Sequence, residues 1–191
     1  VPQIGKSWTH ISPTKVESTI QGRMTFHDGA TLAAEDVAYS INRIIDPAQK
    51  SLQLSRFTTI QRVEVTGPGK AEITTGTPCP VPRAQLVERS IVPKAHVEAV
   101  GAEAFDQRPV GSGPFKLVDW QMGVAVTLEA SQGYWRGEPP FRRVVLSVVP
   151  DTATRIADLR TGRADIVRNL TPDDAAALKD DARIAVLATP T

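Results

Sequence analysis

One stretch of the chain has an apolar spacing that a helix satisfies and a strand does not. Between Ala33 and Ile45, Val37, Ile41, Ile44 and Ile45 recur at i, i+4, i+7 and i+8, which lines them along one side of an α-helix. Glu35 and Asp36 fall in its first turn, where carboxylates complement the helix dipole, and Asp46-Pro47 stops it. A helix that is apolar on one side only has to lay that side on another element.

Strand patterns flank it. Lys15 to Phe26 alternates loosely through Val16, Thr19, Ile20, Met24 and Phe26, which predicts two short strands around Gln21-Gly22. Residues 61–75 read as a hairpin: Val63 and Val65 alternate with polar residues, Gly67-Pro68-Gly69-Lys70 turns, and Ala71 and Ile73 return. Short helices are predicted at 83–89 and, after Pro93, at 94–100, where Gly101 ends the second. Strands are expected at 115–120, 124–130 and 143–149. The last third then alternates helix 152–160, strand 164–167, helix 172–179 and strand 184–187. That alternation implies an α/β fold whose sheet is mixed and partly parallel, with flanking helices.

Composition narrows the function classes. The chain has 191 residues, 22 basic and 21 acidic, for a net charge of +1, so there is no electrostatic case for a nucleic-acid or polybasic membrane partner. No run approaches the roughly 18–20 apolar residues that cross a bilayer. No signal peptide is visible at the N-terminus, VPQIGKSWTH, as is also the case for any processed protein. A single cysteine, Cys79, excludes an intrachain disulfide and a multi-cysteine metal site; set among prolines, it reads as an inert thiol.

Several residues invite a catalytic reading. His27-Asp28 could be an acid–base or metal pair, yet His10 and His96 stand in unrelated surroundings, and metal sites need three or four convergent ligands. Asp28-Gly29 is a strong turn signal, so the pair also reads as a strand-to-helix turn. Ser112 lies between Gly111 and Gly113, but without the Gly-x-Ser-x-Gly spacing of a nucleophile elbow or the Gly-Lys-Ser/Thr of a phosphate loop. Trp8, Trp120, Trp135 and Tyr134 suit core or rim packing better than ligand stacking. Arg142-Arg143 reads as a solvated edge. Asp173-Asp174 follows Thr171, an N-cap.

Five stretches in order resemble one family. Met24-Thr25-Phe26-His27-Asp28-Gly29 with Ala34-Glu35-Asp36-Val37 resembles the entry segment of the family 5 extracellular solute-binding proteins, receptors of peptide-, dipeptide- and nickel-type ABC importers. Ile91-Val92-Pro93-Lys94 is similar to a second signature, and Val110-Gly111-Ser112-Gly113-Pro114-Phe115-Lys116-Leu117, with Trp120, to a third. Tyr134-Trp135 with Gly137 resembles a fourth. Pro150-Asp151, Thr154-Arg155, Leu159, Gly162 and Ala164-Asp165-Ile166 resemble a fifth. The chain departs from the pattern at Ala33, where a hydroxyl-bearing cap is usual, so the cap is expected to be weak or to shift to Thr31. It departs again at Ser131-Gln132-Gly133 and at Arg163, where an acid is frequent.

The resemblance implies part of the N-terminal lobe of a type II periplasmic-binding-protein fold, with residues 1–110 as one lobe I subdomain and 111–191 as its mixed α/β part. It implies a piece of a longer two-lobed receptor rather than an enzyme. The receptor is expected to be periplasmic or extracytoplasmic and monomeric, and to hand a small peptide or similar solute to ABC permease subunits. No cofactor or metal is expected. Arg89, Ser90 and Ser112 are the ligand contacts it implies on this lobe. Two other readings stand beside it: a hydrolase or metal enzyme using His27, Asp28 and Ser112, and a non-transport sensor domain of the same fold.

Overall fold

In the computed structural model, which describes residues 4–78, 86 and 90–187, the first helix does lie on a sheet. The element order is β1 (Gly5–Ser12), β2 (Lys15–Ile20), α1 (Ala34–Ile45), β3 (Ile60–Gly67), β4 (Lys70–Thr75), α2 (Lys94–Val100), α3 (Ala102–Gln107), β5 (Phe115–Gln121), β6 (Ala125–Ala130), β7 (Arg143–Ser147), α4 (Thr152–Thr161) and α5 (Pro172–Leu178). Two short 3-10 turns, Pro47–Gln49 and Leu54–Arg56, join α1 to β3. The sheets have the orders β1-β2-β4-β3 and β5-β6-β7, so the class is mixed α/β with flanking helices.

The chain divides into two units, one formed by 1–120 with 126–145 and the other by 121–125 with 146–191. In the first unit the four-stranded sheet is antiparallel throughout. Its period of two sends Val16, Ser18 and Ile20 of β2 and Ala71, Ile73 and Thr75 of β4 into the interior. Of these, Ile20, Ala71 and Ile73 join Val37, Ala38 and Ile41 of α1, with Met24, Phe26, Phe57, Ile60 and Val63, in a continuous core. Trp8 and Trp135 pack against that core, as their apolar bodies suggest.

The other face of this sheet carries a row of carboxylates. Glu17 and Glu64 each stand directly opposite Glu72, an arrangement that destabilises a sheet unless countered. Lys15 reaches Glu72 at 2.6 Å, Lys70 reaches Glu17 at 2.8 Å and Arg62 reaches Glu64 at 3.1 Å. Hydrogen bonding to Lys70 holds the Glu17 carboxyl below its ordinary value.

Polar side chains fix α1 on its surroundings. Asn42 donates to the Val63 carbonyl at 2.8 Å and accepts from the Val63 amide at 2.9 Å, filling one strand position at the edge of β3. Asp36 is buried and accepts from two backbone amides, Ala33 and Lys94, both at 2.8 Å. One carboxylate therefore satisfies an orphan amide at the start of α1 and another at the start of α2. Buried Ser40 accepts from the Val92 amide at 2.9 Å while donating to the Asp36 carbonyl one turn back. The Ala-Glu-Asp-Val and Ile-Val-Pro-Lys stretches thus interlock. The cap does not shift to Thr31: Ala33 is the N-cap, and Asp36 bonds its amide.

Some expectations need correction. Of the two strands expected in 15–26, the first is β2, but the second is reduced to an isolated bridge between Thr25 and Thr31, because Met24 and Phe26 bond across a tight turn to Leu32 and Ala30. The mixed polar segment Gly5–Ser12 becomes a strand by pairing with β2, and α3 follows α2 after Gly101. The strands expected at 164–167 and 184–187 are not formed. A strand needs a neighbour to complete its backbone bonds, and Ile166 and Leu187 stand 81% and 88% exposed. The parallel pairing expected for the last third is therefore absent among the described residues. Cys79 and most of the helix expected at 83–89 lie outside the described residues.

The second unit is organised by Arg155. Its guanidinium donates to the carbonyls of Val149 and Pro150 and to the Thr152 hydroxyl, each at 2.8 Å, and to the Asn169 carbonyl at 3.4 Å. Asp151 caps α4, accepting from the Thr154 amide at 2.6 Å and its hydroxyl at 2.7 Å; Thr171 caps α5.

These bonds, first from the Thr154 hydroxyl and then from its amide, hold the Asp151 carboxyl below the ordinary 3.8. A depressed folded-state value means that the cap's contribution is fully present above about pH 4 and is lost as pH falls through the folded midpoint. An NMR titration of the Asp151 carboxyl is expected to give a midpoint below 3.8; a midpoint at or above that value contradicts the cap.

Candidate functional site

Buried Met24, Phe26 and Leu32 anchor both ends of a tight turn. The Phe26 amide donates to Ala30 at 2.8 Å, the Gly29 amide to Phe26 at 3.0 Å and the Leu32 amide to Met24 at 2.9 Å. Gly29 sits at φ +90, a backbone region that glycine enters without steric cost. Asp28 Oδ1 accepts from the Ala30 amide at 3.0 Å, closing the turn as an aspartate side chain commonly does.

Half-buried His27 reaches out of this turn to the Gly111-Ser112-Gly113 loop, more than eighty residues away in sequence. The His27 amide donates to the Gly111 carbonyl at 2.8 Å. The Gly111 amide donates to His27 Nδ1 at 3.3 Å, which makes Nδ1 an acceptor and puts the ring proton on Nε2. Nε2 then donates to the Gly113 carbonyl at 3.0 Å. Both ring nitrogens are taken by backbone, and Asp28 by its own turn. His27 is bonded to the glycines on either side of Ser112, but the His27, Asp28 and Ser112 side chains do not form a nucleophile–base chain, which requires a direct bond from base to nucleophile. The imidazole acts as a brace.

The predicted contacts distribute unevenly. Ser112 is half-buried in the braced loop, Ser90 is exposed just before Ile91, and Arg89 lies outside the described residues. Among the described residues no group of three or more His, Cys, Asp or Glu is placed to hold a metal ion, and no helix is long and apolar enough to cross a membrane.

Reasoning from sequence missed a polar cleft of about 680 Å³ beside the brace in the first unit. Its walls carry His27, Lys116, Glu129, Gln132, Glu138 and Arg142. Lys116 and Glu129 pair at 2.8 Å. Bonds from the Ala130 amide to Arg142 at 2.9 Å and from the Ser131 amide to Pro114 at 2.8 Å hold the backbone around it. Its residues come from four separated segments, so no local spacing signals it. Tyr134 and Trp135 meet edge to face at 6.1 Å, with Arg136 stacked 4.5 Å over Trp135.

The family model "Bacterial extracellular solute-binding proteins, family 5 Middle" matches residues 1–191. Among curated proteins, the chain is 28% identical to the glutathione-binding protein GsiB of Shigella boydii, over 98% of this chain and 37% of that protein. It is 40% identical to heme-binding protein A of Haemophilus influenzae over 44% of this chain and 16% of that one. Among solved structures it is similar to NikZ of Campylobacter jejuni in complex with Ni(L-His), with a TM-score of 0.86, 25% identity, and coverage of 95% of this chain and 37% of that chain. The oligopeptide-binding protein AppA of Bacillus subtilis, in complex with a nonapeptide, shares the fold with a TM-score of 0.78, over 94% of this chain and 37% of that chain. The chain thus spans little more than a third of the length of relatives that it matches nearly end to end.

Replacing His27 with Ala removes two side-chain bonds to part-buried backbone. His27→Ala is expected to lower stability by about 1–2 kcal/mol, read by urea denaturation, with solute affinity changed far less. A selective loss of affinity at unchanged stability would return His27 to a direct chemical role.

Proposed function

Because the chain belongs to the bacterial extracellular solute-binding proteins, family 5, we propose that it forms part of the substrate-binding component of an ABC importer. Such a component captures a small peptide or similar solute outside the cytoplasm and delivers it to permease subunits in the membrane. The observation that carries this reading is the family match over the whole chain, joined by a fold likeness that covers 95% of it. Relatives named for glutathione, for di/tripeptides and for heme support a small, polar or metal-bearing solute without choosing among them. In a Gram-negative cell the location is the periplasm, and the receptor works as a monomer.

The His27 brace fits this role. A receptor that holds a solute without transforming it needs no acid–base chain, and both ring nitrogens of His27 are engaged by backbone instead. The Gly111-Ser112-Gly113 loop is held in that way at both glycines. Ser112 on this loop, with Arg89 and Ser90 ahead of Ile91, form the ligand contacts of this part of the receptor, and residues 1–110 and 111–191 are its two lobe I parts. Closure of a second lobe over them supplies the remaining contacts, as in hinge-closing receptors generally.

Calorimetry on a receptor of the relatives' full length that carries this chain tests the assignment. Titration with glutathione and with short peptides is expected to show saturable binding, with Arg89→Ala weakening it about tenfold, the scale of one charge-assisted hydrogen bond. Unchanged affinity in Arg89→Ala removes that residue from the site. Turnover of the solute in place of binding would overturn the receptor reading.

A further inference from the structure

The cleft beside His27 has a charge arrangement that the receptor reading does not use. Lys116 and Glu129 pair with each other in its lining. His27 has both ring nitrogens bonded to the backbone of the 111–113 loop. That leaves Arg142 and Glu138, one cation and one anion on the same walls, and among the described residues neither has an ion-pair partner. Arg142 is held through its own backbone, its carbonyl accepting from the Ala130 amide at 2.9 Å, and the guanidinium stays exposed. Thr25, Ser131 and Gln132 add neutral polar residues to the lining.

A lone anion would find Arg142 here but also Glu138, and a lone cation would meet the reverse conflict. A molecule carrying both charges satisfies both groups and leaves the cleft neutral. Guanidinium presents parallel N–H donors that match a carboxylate, and a carboxylate accepts from an ammonium group. The volume, about 680 Å³, lies in the range of small-molecule sites. We propose that this cleft binds a small zwitterion of the α-amino-acid type, its carboxylate on Arg142 and its ammonium on Glu138. The Lys116–Glu129 pair and the braced His27 form fixed walls. All the residues concerned belong to the first unit, and Arg89, Ser90 and Ser112 are not among them.

The test is an amide NMR titration of the 191-residue chain with L-glutamine, whose side chain is neutral and polar like the cleft lining. N-acetyl-L-glutamine removes the ammonium charge, and L-glutamine methyl ester removes the carboxylate. Saturable shifts confined to residues 25–29, 129–133 and 138–142 are expected, with a dissociation constant of about 10 mM or tighter, as suits a ligand held by few contacts. Each blocked analogue, and each of the variants Arg142→Gln and Glu138→Gln, is expected to bind at least about tenfold more weakly. The analogues leave the protein untouched, so the comparison does not depend on the variants folding. Absence of saturable shifts, equal binding by either analogue, or shifts that map elsewhere would overturn the proposal.

Discussion

The two ring nitrogens of His27 are the point on which the described architecture of the first unit turns. Nδ1 accepts from Gly111 and Nε2 donates to Gly113, and the backbone amide adds a third bond to the Gly111 carbonyl. A loop rich in glycine loses much conformational freedom on ordering. It keeps one shape only where several directional bonds hold it, and here a single residue supplies them. His27 can do so because Met24, Phe26 and Leu32 bury the turn on either side of it. The hydrophobic effect thus fixes the turn, the turn aims the imidazole, and the imidazole sets the loop.

The same division of labour recurs around α1. Apolar burial of Val37, Ala38 and Ile41 brings the helix to the sheet without dictating its register. Asn42 sets the register at β3 with two bonds to one residue, and Asp36 with Ser40 sets it at the 92–94 segment. Each of these polar groups is buried or part-buried and hydrogen-bonded to backbone, the condition under which such a group adds specificity rather than a desolvation penalty. A receptor lobe that must present loops in one geometry gains from polar contacts of this kind, because apolar packing alone tolerates sliding.

The legible parts of the sequence are those whose cause is local. The α1 stripe, the Thr171 cap and the Asp28-Gly29 turn depend on residues close in sequence, and the 61–75 hairpin on strands joined by their own short turn. Strand β1 has no such signal in Gly-Lys-Ser-Trp-Thr-His-Ile-Ser, since pairing with β2 makes it a strand. The reverse error occurs at 164–167 and 184–187, where apolar residues predict strands but none of the described residues pairs with them. His27 reads locally as a turn residue, and its partners lie at 111 and 113. Only resemblance to a family joins the two motifs in advance, and even that does not state the bond between them. The cleft is further from view, because Lys116, Glu129, Glu138 and Arg142 converge only after folding.

Native-state hydrogen exchange at the Gly111 amide tests the central claim most directly. This amide points at His27 Nδ1, whereas a glycine loop without a brace opens freely. The account predicts that Gly111 exchanges together with the core of the first unit, at a free energy close to that of amides in β2 and β4, and that His27→Ala releases it alone. Exchange at the rate of a free loop in the unaltered chain, or protection that survives His27→Ala, would contradict the account.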